Sequence, residues 1–477
     1  MAKFTQVIVK FVAFFIKMLY YDLERFKMLK RKFYYQLMEW KKTKKNECLL
    51  VNGARQIGKT FIIEQFGKDN YESYIYLNFI KNPELKNIFE GSLESNEVFK
   101  RISLYVSDCK FIDGNTLIFI DEIQVSPKAR TALKFLALDS RYDVIASGSL
   151  LGIHYNKSKE EKEIEKELSI PVGYEREVLM HSLDFEEFLW ARGIDDKSIA
   201  VLKEFFDKKE KVPAGTETKN WIDGLNEKYL SLLREYMVVG GMPEVVNKFL
   251  ETSNYQEVHA AQQKIFKAYE DDIEQYAKNV EKPKIKACYN SIPRQLAKEY
   301  TKFQYKTVEK NGTAKKYDNS LAWLEDAGLV VTVRNVSLPM LPLKAYEQPE
   351  NFKLYTTDIG LTTSMFGFET QAALIKKTLK GPAKGGIYEN LIFDMLYKRG
   401  FHLNYYKKSD NSQKIEFLFE KDGAAIPIEV KSKRGETESL NNFIMDFEPP
   451  YAYKLIDGNV GVNECKITLP QYMAMFI

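Results

Sequence analysis

The chain has 477 residues, too many for one hydrophobic core and enough for two or three domains. Hydrophobic residues make up 45% of it, charged residues 29%, and the formal net charge is +4; this composition excludes a disordered protein and does not by itself indicate a nucleic-acid partner. The four cysteines stand singly without metal-ligand spacing, which predicts reduced thiols, a cytoplasmic protein and no structural zinc.

The N-terminal stretch from Phe4 to Tyr21 is apolar, but Lys10 and Lys17 interrupt it. A bilayer-spanning helix needs about 20 largely uncharged residues, so we expect an amphipathic helix and no stable membrane insertion. A second amphipathic pattern begins at Met28. One interpretation is that translation starts there and that residues 1–27 are a non-native extension.

A phosphate-loop spacing follows the first strand-like run. Segment 53–60 has the pattern G-x-x-x-x-G-K-[ST] and lies between an apolar run at 48–51 and a helical pattern at 61–66. Backbone N–H groups of such a loop, with the positive end of the next helix, bind phosphate oxygens. We expect Lys59 to neutralise the β and γ phosphates and Thr60 to bind Mg²⁺. The predicted nucleotide-binding residues are Gly53, Ala54, Arg55, Gln56, Ile57, Gly58, Lys59 and Thr60.

Segment 116–122 predicts a buried parallel strand that ends in two acids. A buried strand has no structural use for adjacent carboxylates. At the carboxyl edge of the sheet they would lie beside the phosphate loop, where Asp121 can hold Mg²⁺ through water and Glu122 can polarise the attacking water. The alternative for the two motifs is a chance glycine turn and a solvated strand end.

A third strand at 143–146 ends in small hydroxyl residues. Ser147 is our candidate sensor of the γ phosphate and Ser149 the second choice; ordinary turn chemistry is the alternative. With a further strand at 74–79 and a helix at 128–138, strands and helices alternate. This alternation predicts the α/β fold class, with a three-layer parallel-sheet domain over 28–180.

The middle of the chain, 181–336, has mainly helical patterning. Within it, 284–336 is interpreted as a winged-helix-like module with a helix, a short strand at 303–307, a helix at 314–327 and a strand at 330–333. Such a module can bind DNA, and the alternative is packing or a lid over the nucleotide domain. Residues 337–386 are expected to be a connector whose glycine-rich end, 381–386, is flexible.

A second group of charged residues lies in the C-terminal part, 387–477, which predicts a small α/β domain. Strand alternation places Glu416 on one face of its strand, and Glu429 and Lys431 together on one face of the next, while Glu389 lies on a preceding helix. These three carboxylates suit a second divalent metal, and Lys431 could orient or activate water for phosphodiester hydrolysis. The alternative is an ordinary charged outer face.

Several segments together resemble the prokaryotic AAA-superfamily ATPases with a C-terminal restriction-endonuclease-like domain, over nearly the whole chain from about Met28. These segments are Gly53-Ala54-Arg55-Gln56-Ile57-Gly58-Lys59-Thr60, Asp121-Glu122-Ile123-Gln124, Ala146-Ser147-Gly148-Ser149-Leu150-Leu151-Gly152, Phe185-Glu186-Glu187-Phe188-Leu189, Gly240-Gly241-Met242-Pro243-Glu244-Val245-Val246 and Ile426-Pro427-Ile428-Glu429-Val430-Lys431.

The resemblance implies ATP as ligand, Mg²⁺ on Thr60 and Asp121, and Glu122 as catalytic glutamate. It also implies a PD-(D/E)xK-like C-terminal fold, although Glu416 stands where that motif usually has Asp and so puts metal binding there in doubt. An arginine finger is expected among Arg130, Arg141 and Arg176.

Three hypotheses follow. The first is an ATPase of the AAA superfamily that couples nucleotide state to a nuclease-like or DNA-binding C-terminal domain. The second is an ATP-dependent DNA nuclease. The third is a nucleotide-switched protein-interaction module with little turnover. DNA, a protein partner and an oligomer are all compatible with the sequence.

Overall fold

The structure, a computed structural model, describes residues 29–149, 173–213, 224–298, 302–408, 413–431 and 438–477. The predictions about residues 1–27 and about a start at Met28 lie outside these ranges. Within them, no helix is both long and apolar enough to cross a bilayer. The four cysteines are free thiols.

The first sheet has five parallel strands in the order β2-β3-β4-β1-β5. This order puts β4 between the strand that leads into the phosphate loop and the strand that ends in Asp121. The strands are β1 (Cys48–Gly53), β2 (Ser73–Asn78), β3 (Thr116–Asp121), β4 (Asp143–Ser149) and β5 (Glu175–Leu179).

Helices cover both faces of this sheet, because nearly every residue of its central strands is apolar. Leu49, Val51 and Phe119 pack in one cluster with the two helices α1 and α2, whereas Leu50 and Ile118 pack with α3 and α4 on the opposite face. The helices are α1 (Lys32–Thr43), α2 (Lys59–Asn70), α3 (Ser95–Tyr105) and α4 (Pro127–Asp139). The predicted parallel α/β sheet of the first domain is thereby confirmed.

Eight helices lie between β5 and the next strand in the described part of this region, as the helical patterning predicted. They are α5 (Phe185–Ala191), α6 (Asp196–Lys208), α7 (Leu225–Val239), α8 (Pro243–Thr252), α9 (Tyr255–Tyr276), α10 (Lys282–Leu296), α11 (Tyr305–Val308) and α12 (Ala314–Asp326). The prediction of a strand at 303–307 was wrong. This segment contains the buried Phe303 and then the short helix α11.

An antiparallel hairpin follows α12, formed by β6 (Val330–Val336) and β7 (Glu347–Thr356). Three helices and a hairpin are the elements of a winged helix in chain order. Here, however, β6 also pairs in parallel with β8 (Asn404–Lys407), so the hairpin belongs to a larger sheet and does not project as a free wing. The winged-helix interpretation stays a prediction.

The expected connector at 337–386 is folded. It contains β7, α13 (Ile359–Met365) and α14 (Phe368–Ile375), and its glycine-rich end begins α15 (Pro382–Tyr397). The boundary expected at 386 therefore falls inside a helix. Flexibility was predicted there because glycine and proline usually interrupt helices, but proline is well tolerated in a first turn.

The second sheet has eight strands in the order β12-β13-β11-β10-β9-β8-β6-β7. Helix α15 covers one face, in a cluster with Phe417 and Ile428, and α16 covers the other through Leu440 and Phe443. Its remaining elements are β9 (Lys414–Lys421), β10 (Ala424–Lys431), α16 (Glu438–Phe447), β11 (Ala452–Ile456), β12 (Gly461–Asn463) and β13 (Lys466–Pro470).

We predict that two adjacent glycines of α15 respond oppositely to alanine. A Cβ at Gly386 would lie 2.0 Å from the Leu296 carbonyl oxygen of α10, whereas a Cβ at Gly385 meets nothing within 4 Å. Gly386→Ala should therefore lower the free energy of unfolding by about 1–3 kcal/mol. Gly385→Ala should leave it unchanged or raise it by up to about 1 kcal/mol through helix propensity. Urea denaturation measures both, and equal effects would contradict this packing.

Candidate functional site

The phosphate loop lies where β1 ends and α2 begins. Gly58, the N-cap of α2, has a φ of 90° in the left-handed region that favours glycine. Gly53 is also constrained, because a Cβ there would lie 2.4 Å from the Met180 carbonyl oxygen. Both fixed glycines of the motif are therefore required by the backbone, independently of any ligand.

Lys59 is folded back on the loop. Its Nζ donates hydrogen bonds to the carbonyl oxygens of Gly53 at 2.9 Å and Ala54 at 2.7 Å. Burial lowers the pKa of Lys59 to about 8, although the nearby Glu122 and Asp121 carboxylates act in the opposite direction. The ammonium group thus lies inside the loop, where a phosphate would strengthen its charged form.

Thr60 and Asp121 meet across the end of β4. The Thr60 hydroxyl donates to Asp121 Oδ2 at 3.0 Å. The same carboxylate, only 3% exposed, accepts hydrogen bonds from the Tyr76 hydroxyl at 2.9 Å and from the Asn78 amide at 3.0 Å. A hydroxyl and a fixed carboxylate are hard oxygen donors, so this pair fits a Mg²⁺ ion.

Glu122 directly follows Asp121 and has a φ of 60°. Its N–H donates to Asp121 Oδ1 at 3.1 Å, and its own carboxylate accepts a hydrogen bond from the Gln124 amide at 2.5 Å. The left-handed backbone turns the Glu122 side chain out of the strand, and it is only partly buried. The charge of the Glu122 carboxylate raises the pKa of Lys59 and so favours its ammonium form.

The two serines at the end of β4 differ in their surroundings. The Ser147 hydroxyl is buried and donates to Asp121 Oδ1. The Ser149 hydroxyl is also buried, but has no hydrogen-bond partner among the described residues, and it lines a small cavity with Arg55 and Asp272. Ser147 as sensor stays a prediction; of the two hydroxyls, that of Ser149 is the one without a partner among the described residues.

Arg55, within the loop, contacts the helical region. Its guanidinium pairs with the Asp272 carboxylate of α9 and donates to the Tyr276 hydroxyl at 3.0 Å. Burial raises the pKa of Asp272 to about 6, against the lowering effect of Arg55. One residue of the predicted phosphate loop is therefore attached to the helical region.

The three arginine-finger candidates all form ion pairs within the chain. Arg130 pairs with Glu175 at 2.8 Å, Arg141 with Asp139 at 2.7 Å and Arg176 with Glu47 at 2.5 Å. The structure thus does not distinguish them, and the choice stays open.

Glu389 lies on α15, beside the C-terminal sheet, and its carboxylate contacts two other side chains. The Lys353 ammonium group of β7 lies 2.5 Å from its Oε1, and the Tyr355 hydroxyl donates to the same oxygen at 2.5 Å. Burial raises the pKa of Glu389, but Lys353 and Lys414 outweigh it and lower the pKa to about 2. Glu389 is a buried, paired carboxylate.

Glu416 and Glu429 are 5% and 1% exposed, so the alternative of a solvated outer face was wrong. Glu416 accepts the Val430 N–H at 3.2 Å and lies 3.4 Å from Lys414 Nζ. Lys431 Nζ lies 3.2 Å from Glu429 Oε1. Each carboxylate has its own ammonium group, and the described residues contain no group of three metal-ligating side chains. Both oxygens of the Glu429 carboxylate are nevertheless buried without a hydrogen bond to any described residue, and the second metal stays a prediction.

Sequence reasoning missed the residues that hold these groups in place. Tyr76 and Asn78 orient Asp121, Asp272 binds the phosphate loop, and Lys353 neutralises Glu389. Asp272 and Lys353 are far in sequence from the residues that they contact, and the sequence around a single charged residue does not indicate its partner. Tyr76 and Asn78 could have been noticed, because they end a strand next to β3.

Three segments of the chain match known protein families. Residues 45–189 match the AAA domain, residues 230–372 match a domain of unknown function (DUF8612), and residues 384–471 match another (DUF4143). No curated protein matches the chain. The N-terminal part is thus an AAA-type P-loop domain, whereas the other two matches assign no activity.

Several solved structures are similar at low identity. The Walker-type ATPase PABY2304 of Pyrococcus abyssi is 14% identical, with a TM-score of 0.41, over 71% of this chain and 96% of that one. AMPPCP-bound DnaA from Aquifex aeolicus is 12% identical, with a TM-score of 0.28, over 62% and 88%. PCH-2 of C. elegans is 12% identical, with a TM-score of 0.24, over 48% and 65%.

We predict that Lys353→Met destabilises the protein by about 3–5 kcal/mol, because it removes the ammonium group in direct contact with the buried Glu389 carboxylate and leaves only the more distant charge of Lys414. Adding Glu389→Gln to Lys353→Met should recover most of this loss, since the amide carries no charge. Urea denaturation of the two variants and the wild type measures it. If the double variant is no more stable than Lys353→Met, the buried ion pair does not explain the cluster.

Proposed function

We propose that the chain is a Mg²⁺-dependent ATPase whose nucleotide state is coupled to its C-terminal domain. The observation that carries this is the convergence of Lys59, Thr60, Asp121 and Glu122 at one edge of the AAA-type sheet, with the Thr60 hydroxyl 3.0 Å from the Asp121 carboxylate. The AAA domain match over 45–189 supports ATP as the nucleotide.

Each of these residues has a distinct task in the proposed reaction. The backbone N–H groups of 53–60 bind the phosphates, and Lys59 neutralises them. Thr60 and Asp121 would hold Mg²⁺, which supplies charge neutralisation to the triphosphate. Glu122 orients and polarises the attacking water, and the partners of Asp121 keep that carboxylate from rotating.

Coupling is supported by contacts that run away from the phosphate loop. Arg55 binds Asp272 near the end of α9. On the same helix, the buried Gln262 amide donates to the Val238 carbonyl of α7 at 2.7 Å and to the Gly360 carbonyl of α13 at 3.1 Å. A movement of the loop that shifts α9 would therefore act on the helices next to the C-terminal sheet.

For the C-terminal domain we favour a binding role over DNA cleavage. The pairing of Glu389 with Lys353, and of Glu416 with Lys414, leaves these carboxylates with cations of their own. Because a cutting site of the proposed kind needs metal ligands, the nuclease hypothesis gains no support. Duplex DNA, which the winged-helix-like region could bind, remains a partner to test through its effect on ATP turnover.

We expect ATP turnover to depend on two side chains in different ways. Lys59→Ala should lower nucleotide affinity and turnover together, because the phosphates lose their counter-charge. Glu122→Gln should lower kcat by about 100-fold or more while ATP still binds, because only water activation is lost. Phosphate release and fluorescent-nucleotide binding measure these effects, with and without duplex DNA.

Glu97→Gln is the matched control, since this glutamate of the same domain is 46% exposed and pairs with Lys100 on its own helix. It should behave as the wild type. Turnover that survives Lys59→Ala would contradict the proposal. Tight nucleotide binding with background turnover that Glu122→Gln leaves unchanged would favour the nucleotide-switched interaction module.

Nucleotide binding should also take up protons above pH 7. Because the Lys59 pKa is about 8, this group is about nine-tenths protonated at pH 7 and about half protonated at pH 8 before binding. Phosphates raise its pKa, so Mg·ADP binding should take up about a tenth of a proton at pH 7 and about half at pH 8. Calorimetry in two buffers of different ionisation enthalpy measures the uptake. An equal uptake at both pH values would be inconsistent with a buried Lys59.

A further inference from the structure

A buried arginine that precedes the AAA domain match contacts the phosphate loop. Arg31, 7% exposed, is the N-cap residue of α1. Its Nη1 donates to the Ile57 carbonyl oxygen at 3.0 Å, and its Nη2 donates to the His181 carbonyl oxygen at 2.6 Å. One guanidinium group thus joins the phosphate loop to the segment that follows β5.

Glu187 holds this arginine in position. Its carboxylate, 4% exposed, lies 3.3 Å from Arg31 Nε and accepts the Lys32 N–H at 2.6 Å. It also accepts the Asp184 N–H at 3.0 Å, completing the capping box of α5. A single carboxylate therefore caps two helices and fixes the guanidinium between them. Glu187 lies in the Phe185–Leu189 motif, to which the proposed reaction gives no task.

The contact with Ile57 determines which way one amide of the loop faces. The peptide between Ile57 and Gly58 is trans, so its C=O and N–H point to opposite sides of the chain. Because Arg31 holds the carbonyl oxygen, the Gly58 N–H must point away from Arg31. Gly58, with its φ of 90°, lacks the Cβ that would otherwise restrict a peptide rotation. Some other group has to fix its orientation.

We infer that Arg31, held by Glu187, is a positioning residue for nucleotide phosphates: it sets the Gly58 peptide so that its N–H faces the bound phosphate. This rests on the proposed function of the loop. Arginine suits the task because its planar group reaches two carbonyl oxygens and a carboxylate at once, which a lysine ammonium on one flexible stem cannot do with the same geometry. The guanidinium touches no phosphate and acts only through the peptide.

The inference is tested with Arg31→Met in the full chain. The affinity for Mg·ATP and for Mg·ADP should each fall by about tenfold or more, because binding must now select the required peptide orientation. Both nucleotides should weaken by a similar factor, since the loop amides contact phosphates that they share. Arg31→Lys should recover part of the affinity. Titration of a fluorescent ATP analogue, with competition by ADP, measures all of these.

A second variant separates positioning from folding. Arg31→Met leaves Glu187 as an unpaired buried charge and should lower the melting temperature. Adding Glu187→Gln removes that charge and keeps one of the two acceptor oxygens that the capped N–H groups use, so the melting temperature should recover in part while nucleotide affinity stays about tenfold low. Recovery of both would show that Arg31 acts only through stability and would overturn the inference.

Two controls complete the design. Arg192→Met removes a partly buried arginine that pairs with Glu235 at 2.9 Å, and this variant should bind nucleotide as the wild type does. Lys59→Ala reports on the loop itself. Wild-type protein that binds no nucleotide would contradict the proposed function. Nucleotide binding that is lost in Lys59→Ala but unchanged in Arg31→Met would contradict the positioning role alone.

Discussion

The contact between Thr60 and Asp121 depends on what lies between their two strands. Strand β4 separates β1 from β3, and Ser147 is the residue directly beside both Val51 and Asp121. Because β4 ends in serine, glycine and serine, no large side chain stands between the loop helix and the acid. The Ser147 hydroxyl instead binds Asp121. The proposed chemistry thus requires small, uncharged residues at the carboxyl end of β4.

Local sequence patterns were sufficient to predict the parallel sheet of the first domain and the position of its two motifs. Continuous apolar runs are typical of parallel strands that are covered on both faces. The strands with such runs, β1, β3 and β4, are the three inner strands of the sheet. The faces of the C-terminal strands could not be predicted in this way. Strand alternation places Glu416 on the face opposite to that of Phe417, and this suggested a solvated face. Helices cover both faces of that sheet, however, so the face with the charged residues is buried as well.

The partners of the C-terminal carboxylates could not be predicted from the sequence. Three carboxylates on neighbouring elements are equally consistent with shared metal ligation and with separate ion pairs. The difference is made by Lys353, which enters the sheet from β7, a segment expected to be a connector. Only the tertiary fold brings this buried ammonium group to Glu389.

Buried ion pairs also determine how the parts of the chain are joined. Asp358 accepts hydrogen bonds from the Ser182 hydroxyl and the Gly241 N–H, both at 2.8 Å, and lies 3.7 Å from Lys398 Nζ, whose side chain is 1% exposed. Apolar surfaces can slide over one another at little cost, but buried charges cannot leave their partners without a large desolvation penalty. We therefore interpret these contacts as fixing one docking geometry between the segments that contain Ser182, Gly241, Asp358 and Lys398.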